Sequence, residues 1–366
     1  SNTAVGAEAM GSGVTTGNNN VGVGRRSLQA VVGGQSNIAI GFEAMKSATE
    51  AQYNVSAGFR ALYTNVDGDS NVAIGYESLY TLEPADGNSY NTALGHHSGK
   101  LMTTAVNNTL VGALAGDAVT TGDDNTSLGY FSLSANTVGN NNIAIGVSAL
   151  ATNVASDRNV AIGNNALNAM TSASTVDSYN VAVGHAAGAA VTSGTNNTLI
   201  GAKAGDALQD DSNNVAVGTD AMTDLQTDNC VAVGYAAMHA ATTSARTTAI
   251  GRTALGGATL TGNDNTALGY QAGHVLTSGA QNTLIGNLAG DALTTGDNNT
   301  IIGYAAAASA VGVDNEIVIG NLAGGLGANS AVIGTSAQQN AIIFGLRKPV
   351  HNVGANQITA KVNYIN

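Results

Sequence analysis

One short phrase recurs along this chain and limits its fold more than any other feature. It reads Asn-Val-Ala-Ile-Gly at 71–75, Asn-Ile-Ala-Ile-Gly at 142–146 and Asn-Val-Ala-Ile-Gly at 159–163. Anchored on the final Gly, copies fall at Gly6, Gly24, Gly41, Gly58, Gly75, Gly95, Gly112, Gly129, Gly146 and Gly163. They continue at Gly184, Gly201, Gly218, Gly234, Gly251, Gly269, Gly286, Gly303, Gly320, Gly334 and Gly345. Most steps are 17 residues; insertions lengthen two of them to 20 and 21, and the last two shorten to 14 and 11. The 366 residues would otherwise suggest two or three domains, but 21 copies without a gap make one array.

Each position in the repeat has a physical role. Four residues before the Gly stands Asn in 16 of the 21 copies, among them Asn37, Asn71, Asn125, Asn142, Asn159, Asn214 and Asn299. A residue met once per coil stacks on its own copies, so these amides are expected to bond along the stack and to take the left-handed corner conformation. The next three residues, as in Val72-Ala73-Ile74, read as a short strand. The anchors, including Gly41, Gly75, Gly112, Gly146, Gly201 and Gly286, are expected to turn at positive φ where a Cβ would obstruct. Three residues further on, every copy through Gly334 has Ala or Ser, and the next residue is usually Leu, Met or Gly. The expected fold is all-β, a parallel β-solenoid or β-roll of about 21 coils whose remainder is a second short strand or a helical turn. At roughly 4.8 Å per coil the rod would be about 100 Å long. The array proper covers 1–311, shortened terminal coils 312–345, and a cap or tip segment 346–366.

A longer period lies over the short one. Leu110 to Asp117 recurs as Leu199 to Asp206 and as Leu284 to Asp291, five coils apart each time. In these copies Leu replaces Ala at the strand centre, and Gly replaces Leu nearby, as at Gly99, Gly188 and Gly273. This reads as volume compensation.

Both strand faces are apolar. Val72 and Ile74 are expected to fill one side, leaving Ala73 outward, where its small size would suit the close approach of identical chains. A homotrimer is the expectation, and a flat coil with two internal layers the alternative.

Composition removes several function classes. One Cys excludes an intrachain disulfide, and no Cys/His group has zinc spacing. A net charge of −12, with 10% charged residues, argues against a nucleic-acid partner, and the short apolar runs argue against membrane insertion.

Runs such as Asn265-Thr266-Ala267-Leu268-Gly269-Tyr270-Gln271-Ala272-Gly273 resemble shaft repeats of bacteriophage tail fibres and tailspikes. They are also similar to the head repeats of trimeric autotransporter adhesins, and the 14-residue step from Gly320 to Gly334 fits the shorter adhesin repeat. The resemblance covers about residues 1–345 and implies a trimeric left-handed β-roll. It also implies a location on a virion or at the extracellular surface, a host glycan or protein receptor, and no cofactor. In such fibres a self-cleaving chaperone often follows the repeats, so 346–366 is expected to be a mature end and the chain a segment of a longer polypeptide.

Candidate contact residues follow the anchor Gly: Tyr76, Tyr130, Tyr235, Tyr270 and Tyr304, with Phe42 and Phe59 in the same row. Such rings either cover grooves between coils or chains, the plainer expectation, or stack on host sugars. His96, His97 and His185 sit at corners, too widely spread to chelate one metal within a chain. Asp117, Asp206, Asp291 and the acidic corners Asp123-Asp124 and Asp210-Asp211 read as solvated turns. No nucleophile elbow is present, and the insertions at 82–90 and 171–179 offer only Glu83 and Asp86 as an acid pair, so no catalytic or metal site is assigned. The expected function is a stiff, multivalent fibre segment for host attachment. The alternatives are a bacterial trimeric surface adhesin, an ice-binding solenoid and a glycan-degrading tailspike.

Overall fold

The computed structural model describes residues 1–11, 15–84, 87–171 and 174–334. Over these residues the chain is a parallel β-solenoid without a helix, so none is long and apolar enough to cross a membrane. Twenty three-residue strands, from Thr3–Val5 to Ala331–Ile333, form one sheet, and about nineteen turns of the coil join them. Each strand pairs in parallel with the equivalent residues of the next coil, as in Val72↔Thr92, Ala73↔Ala93 and Ile74↔Leu94. The coil at Gly345 and the segment 346–366 lie outside the described residues.

After each anchor Gly the chain makes a run of turns, neither a second regular strand nor a helical turn. The second and fourth residues past the Gly are left-handed, as Glu43 (φ 54°) and Met45 (φ 48°) are. Each such residue costs about 1 kcal/mol or more. The N–H groups of this run divide between the two neighbouring coils. Glu43 N–H donates back to Arg25 O, and Met45 N–H forward to Ala61 O, both at 3.0 Å. Second strands are confined to Gly68–Asp69 and Gly87–Asn88, where the first insertion begins to leave the coil.

The anchor glycines behave as their position requires. Gly75 has φ 140°, and a Cβ there would lie 2.2 Å from Gly95 O in the next coil. Glycine is therefore needed both for the backbone angle and for the close approach of coils.

The strand faces are the reverse of the sequence expectation. Ala73 is fully buried inside the coil, and Val72 and Ile74 point outward, with Ile74 exposed. The physical reason is the width of the coil. The strand centre faces the small residue three past the Gly and the Leu or Met after it, and all of these are buried. A Cβ added at Gly22 would meet Met10 Cε and Ser27 Oγ at 3.2 Å, which shows how little room remains. Only Ala, Ser or Gly fits without adjustment, so in most coils the β-branched residues go outside, the exceptions being Ile301, Val318 and Val332, which are buried at the strand centre. Where Leu110, Leu199 and Leu284 occupy the centre, glycines make the room. A Cβ at Gly188 would stand 2.6 Å from Leu199 Cδ1, and one at Gly205 would stand 2.7 Å from Leu199 Cδ2. The volume compensation expected from the five-coil period is thus present in the packing.

The Asn ladder is buried and continuous over long stretches. Asn142 is typical: its Oδ1 accepts from Asn159 N–H at 3.0 Å, and its Nδ2 donates to Ser156 O at 2.9 Å. Asn37, Asn71, Asn125, Asn159, Asn214 and Asn299 make equivalent bonds. Left-handed geometry, however, falls one residue earlier than expected, at Ser36, Ser70, Asp124 and Asn141. The ladder Asn needs its side chain turned inward, so its predecessor makes the corner. Cys230 replaces Asn in one coil, and its thiol donates to Ser244 O at 3.0 Å, the carbonyl an amide would have reached. Glu316 ends the described ladder, accepting Ser309 N–H at 2.9 Å and Gly327 N–H at 2.8 Å.

Candidate functional site

The strands place a single surface along the whole rod. Their outward residues are all Val, Ile, Leu, Thr or Ala, and none carries a charge. Many are well exposed: Ile40 at 46%, Leu128 at 47% and Ile333 at 49%. An uncharged, largely apolar strip over twenty strands is unusual for a monomer, whose largest apolar patch is about 300–600 Å². At its far end Ile317, Ile319, Ala331 and Ile333 line a shallow groove of about 340 Å³ with Asn315, Asn329 and Ser330.

One residue beyond each anchor Gly, side chains stack coil upon coil. Phe42 and Phe59 are 5.3 Å apart, Phe59 and Tyr76 5.0 Å, and Tyr76 and His96 5.2 Å, all nearly parallel. Arg25 closes this row over Phe42 at 5.9 Å. Both faces of Tyr76 are therefore occupied by its neighbours. Further along, the Arg252 guanidinium lies between Tyr235 and Tyr270, at 5.7 and 5.8 Å. Tyr130 has one tilted neighbour, Phe131 at 6.0 Å. Tyr304 is 53% exposed, with no ring or cation against it among the described residues. Of the five tyrosines singled out in the sequence, Tyr76 is stacked on both faces, Tyr130, Tyr235 and Tyr270 each have one neighbour, and Tyr304 has none among the described residues.

Beside this row lies a charge ladder that the sequence reading missed. Two residues past the anchors, Glu8, Arg26, Glu43, Arg60 and Glu77 alternate in sign over five successive coils, and His97 takes the basic position in the sixth. Arg26 Nε reaches Glu8 at 2.6 Å, and Arg60 Nε reaches Glu43 at 2.9 Å. Lys46 joins Glu43 at 3.2 Å, while Lys100 and His97 meet Glu77 at 2.9 and 3.2 Å. Burial by itself would raise the Glu43 carboxyl, but hydrogen bonds from Arg60, Lys46 and Arg26 outweigh it and hold it low. The Lys100 hydrogen bond holds Glu77 low in the same way. Burial, Lys100 and His96 push His97 down. A second aromatic row, Lys46 to Tyr63 (5.3 Å) and Tyr63 to Tyr80 (5.1 Å), flanks the ladder. The signal was available: aligning the repeats at the second residue past the Gly shows the alternation directly.

The acidic corners divide into two kinds. Asp123 is structural as well as solvated, since its Oδ1 accepts Val106 N–H at 2.8 Å, and Asp297 does the same for Ala280 N–H. Asp117 and Asp206 are half-buried and raised by that burial, whereas Asp291 is exposed. Asp210 is exposed, and Asp211 is raised by burial. His96 and His97 lie 3.9 Å apart by ring centroid, and His185 sits five coils away. Among the described residues no three of His, Cys, Asp and Glu converge as a metal site would require. Of the acid pair in the first insertion, Glu83 is described and Asp86 lies outside the described residues. In the second insertion Arg158 pairs with Asp177 and lies over Tyr179 at 5.7 Å, which ties that bulge to the preceding coil.

No family model matches the chain. No curated protein matches it either.

Proposed function

We propose that the chain is a structural segment of a phage tail fibre, a rigid rod of three identical chains that serves host-cell attachment. The observation that supports this reading best is the uncharged strip of Val, Ile, Leu and Thr along the outside of the sheet. A free rod would present polar residues on that face. A second and third copy offer the same length, the same spacing and the same apolar chemistry, so like strands meet like strands. A stable interface takes about 800 Å² from each partner, and the strip runs over all twenty strands of the sheet.

Attachment then works through stiffness and number. Hydrogen bonds on several sides of each coil make the rod resist bending, and repeated exposed side chains give avidity beyond any one contact. Tyr304, exposed and with no ring or cation against it among the described residues, suits weak stacking on host sugars best. Mass measurement in solution tests the assembly. Three times the 36.2 kDa of one chain is expected, and a stable single-chain species would overturn the trimer.

A further inference from the structure

The apolar interior is not continuous along the rod. One cluster of buried side chains runs from Leu28 to Val119, and a separate one from Leu133 to Ala323. The break falls in the coil of Gly129. There both small inward positions are Ser: Ser127 at the strand centre and Ser132 three past the Gly, each fully buried. Every other described coil from Gly41 through Gly320 has Ala, or a larger apolar residue, in at least one of these positions.

The hydroxyls satisfy each other inside their own coil. Ser127 Oγ donates to Ser132 O at 3.0 Å, and Ser132 Oγ to Gly129 O at 3.0 Å. They therefore add nothing to the contact with the coil before. That coil presents Gly116 where most coils present Leu or Met, because Leu110 fills the space. Gly205 and Gly290 make the same substitution elsewhere, but the coils that follow them present Ala216 with Ala221 and Ile301 with Ala306, and the core continues. Only here does a glycine-bearing coil meet one with Ser at both inward positions. The six-rung charge ladder and both aromatic rows also end before this joint.

In a stack where each coil touches only its neighbours, cooperativity depends on every interface term being strong enough to pass folding along. We propose that the array is two cooperative units, 1–119 and 133–334, coupled across the Gly129 coil by backbone, corner and Asn-ladder hydrogen bonds and by the outer face, without a continuous apolar core. The joint lets one unit open while the other stays folded.

Hydrogen–deuterium exchange of the full chain, read by mass spectrometry through a denaturant series, tests this. The expected result is two blocks of protection whose exchange rates separate by about tenfold or more at intermediate denaturant, with the boundary within 120–132. Ser127→Ala with Ser132→Ala, which installs the side chains other coils carry, should merge the blocks. Ala216→Ser with Ala221→Ser, placed after Gly205, should create a new boundary there. A single block in the native chain, a boundary elsewhere, or two blocks that persist in the double-Ala variant would overturn the proposal. An Ala216/Ala221 variant without a new boundary would do so too.

Discussion

Asn142 shows what a single side chain contributes to this array. It satisfies two donors of the next coil, Asn159 N–H and Nδ2, and one carbonyl, Ser156 O, where no water reaches. Asn142→Ala leaves Asn159 N–H without its acceptor, while Asn159 Nδ2 keeps Asp157 O and Ser156 O keeps Asn153 Nδ2; one buried orphan should cost about 1–3 kcal/mol. Cys230→Asn is the converse experiment, replacing a weak thiol donor with the amide the ladder is built for. It should raise the denaturation midpoint, and denaturant titration of both variants reads the two signs together.

Charge at the same scale has two opposite pH signatures. Glu43 and Glu77 are held below their ordinary 4.5. Their contribution is present above that value and is lost as pH falls through the lower folded value. Asp117 goes the other way: burial raises it above 3.8, and its Oδ1 is buried without a hydrogen-bond partner. Its contribution is full below 3.8 and lost as pH rises through the folded value, where charge must be buried. Asp117→Asn should therefore stabilise the protein at pH 7 and give no such gain at pH 3, whereas Glu43→Gln should destabilise it at pH 7 and by less at pH 3. Thermal melts at both pH values check the crossing signs.

At the scale of one coil, volume is conserved between elements rather than within them. Leu199 sits between Gly188 of the coil before and Gly205 of its own coil. Leu199→Ala should cost about 2–5 kcal/mol through the cavity it leaves. Gly188→Ala should cost about 1–3 kcal/mol, because its Cβ would meet Leu199 and Leu167 at 2.6 and 2.9 Å. The double variant should cost less than the two together, since each change relieves the other. A strictly additive double-mutant cycle would show that the glycines serve only the backbone angle. The alternating handedness after each Gly belongs to this scale too. No residue type marks it, because Glu43, Arg60, Leu79 and Leu133 all adopt it.

For the whole molecule, the outer strip is the decisive surface. Leu128 and Ile162 point outward and touch nothing in the coil interior, so Leu128→Lys with Ile162→Lys should leave the coil folded. If three copies pack on this face, sedimentation should show the pair of charges shifting the assembly toward single chains with unchanged circular dichroism. An assembly that tolerates both lysines would place the contact on another face.

The amino-acid sequence by itself determined the coil. The Gly spacing gave the period, the invariant small residue gave the close packing behind the strand, the Asn column gave the ladder, and the Leu–Gly exchange gave the compensated volumes. Each of these is a property of residues repeating against their own copies, which a one-dimensional pattern records in full. The tertiary structure decided which way the strand faces, and with it the surface the rod presents. In Val72-Ala73-Ile74 no polar residue marks the outside, so alternation alone cannot orient it. The narrow space between the strand and the buried Ser78 and Leu79 admits only a methyl group, and that volume turns Ala73 inward and puts Val72 and Ile74 on the surface.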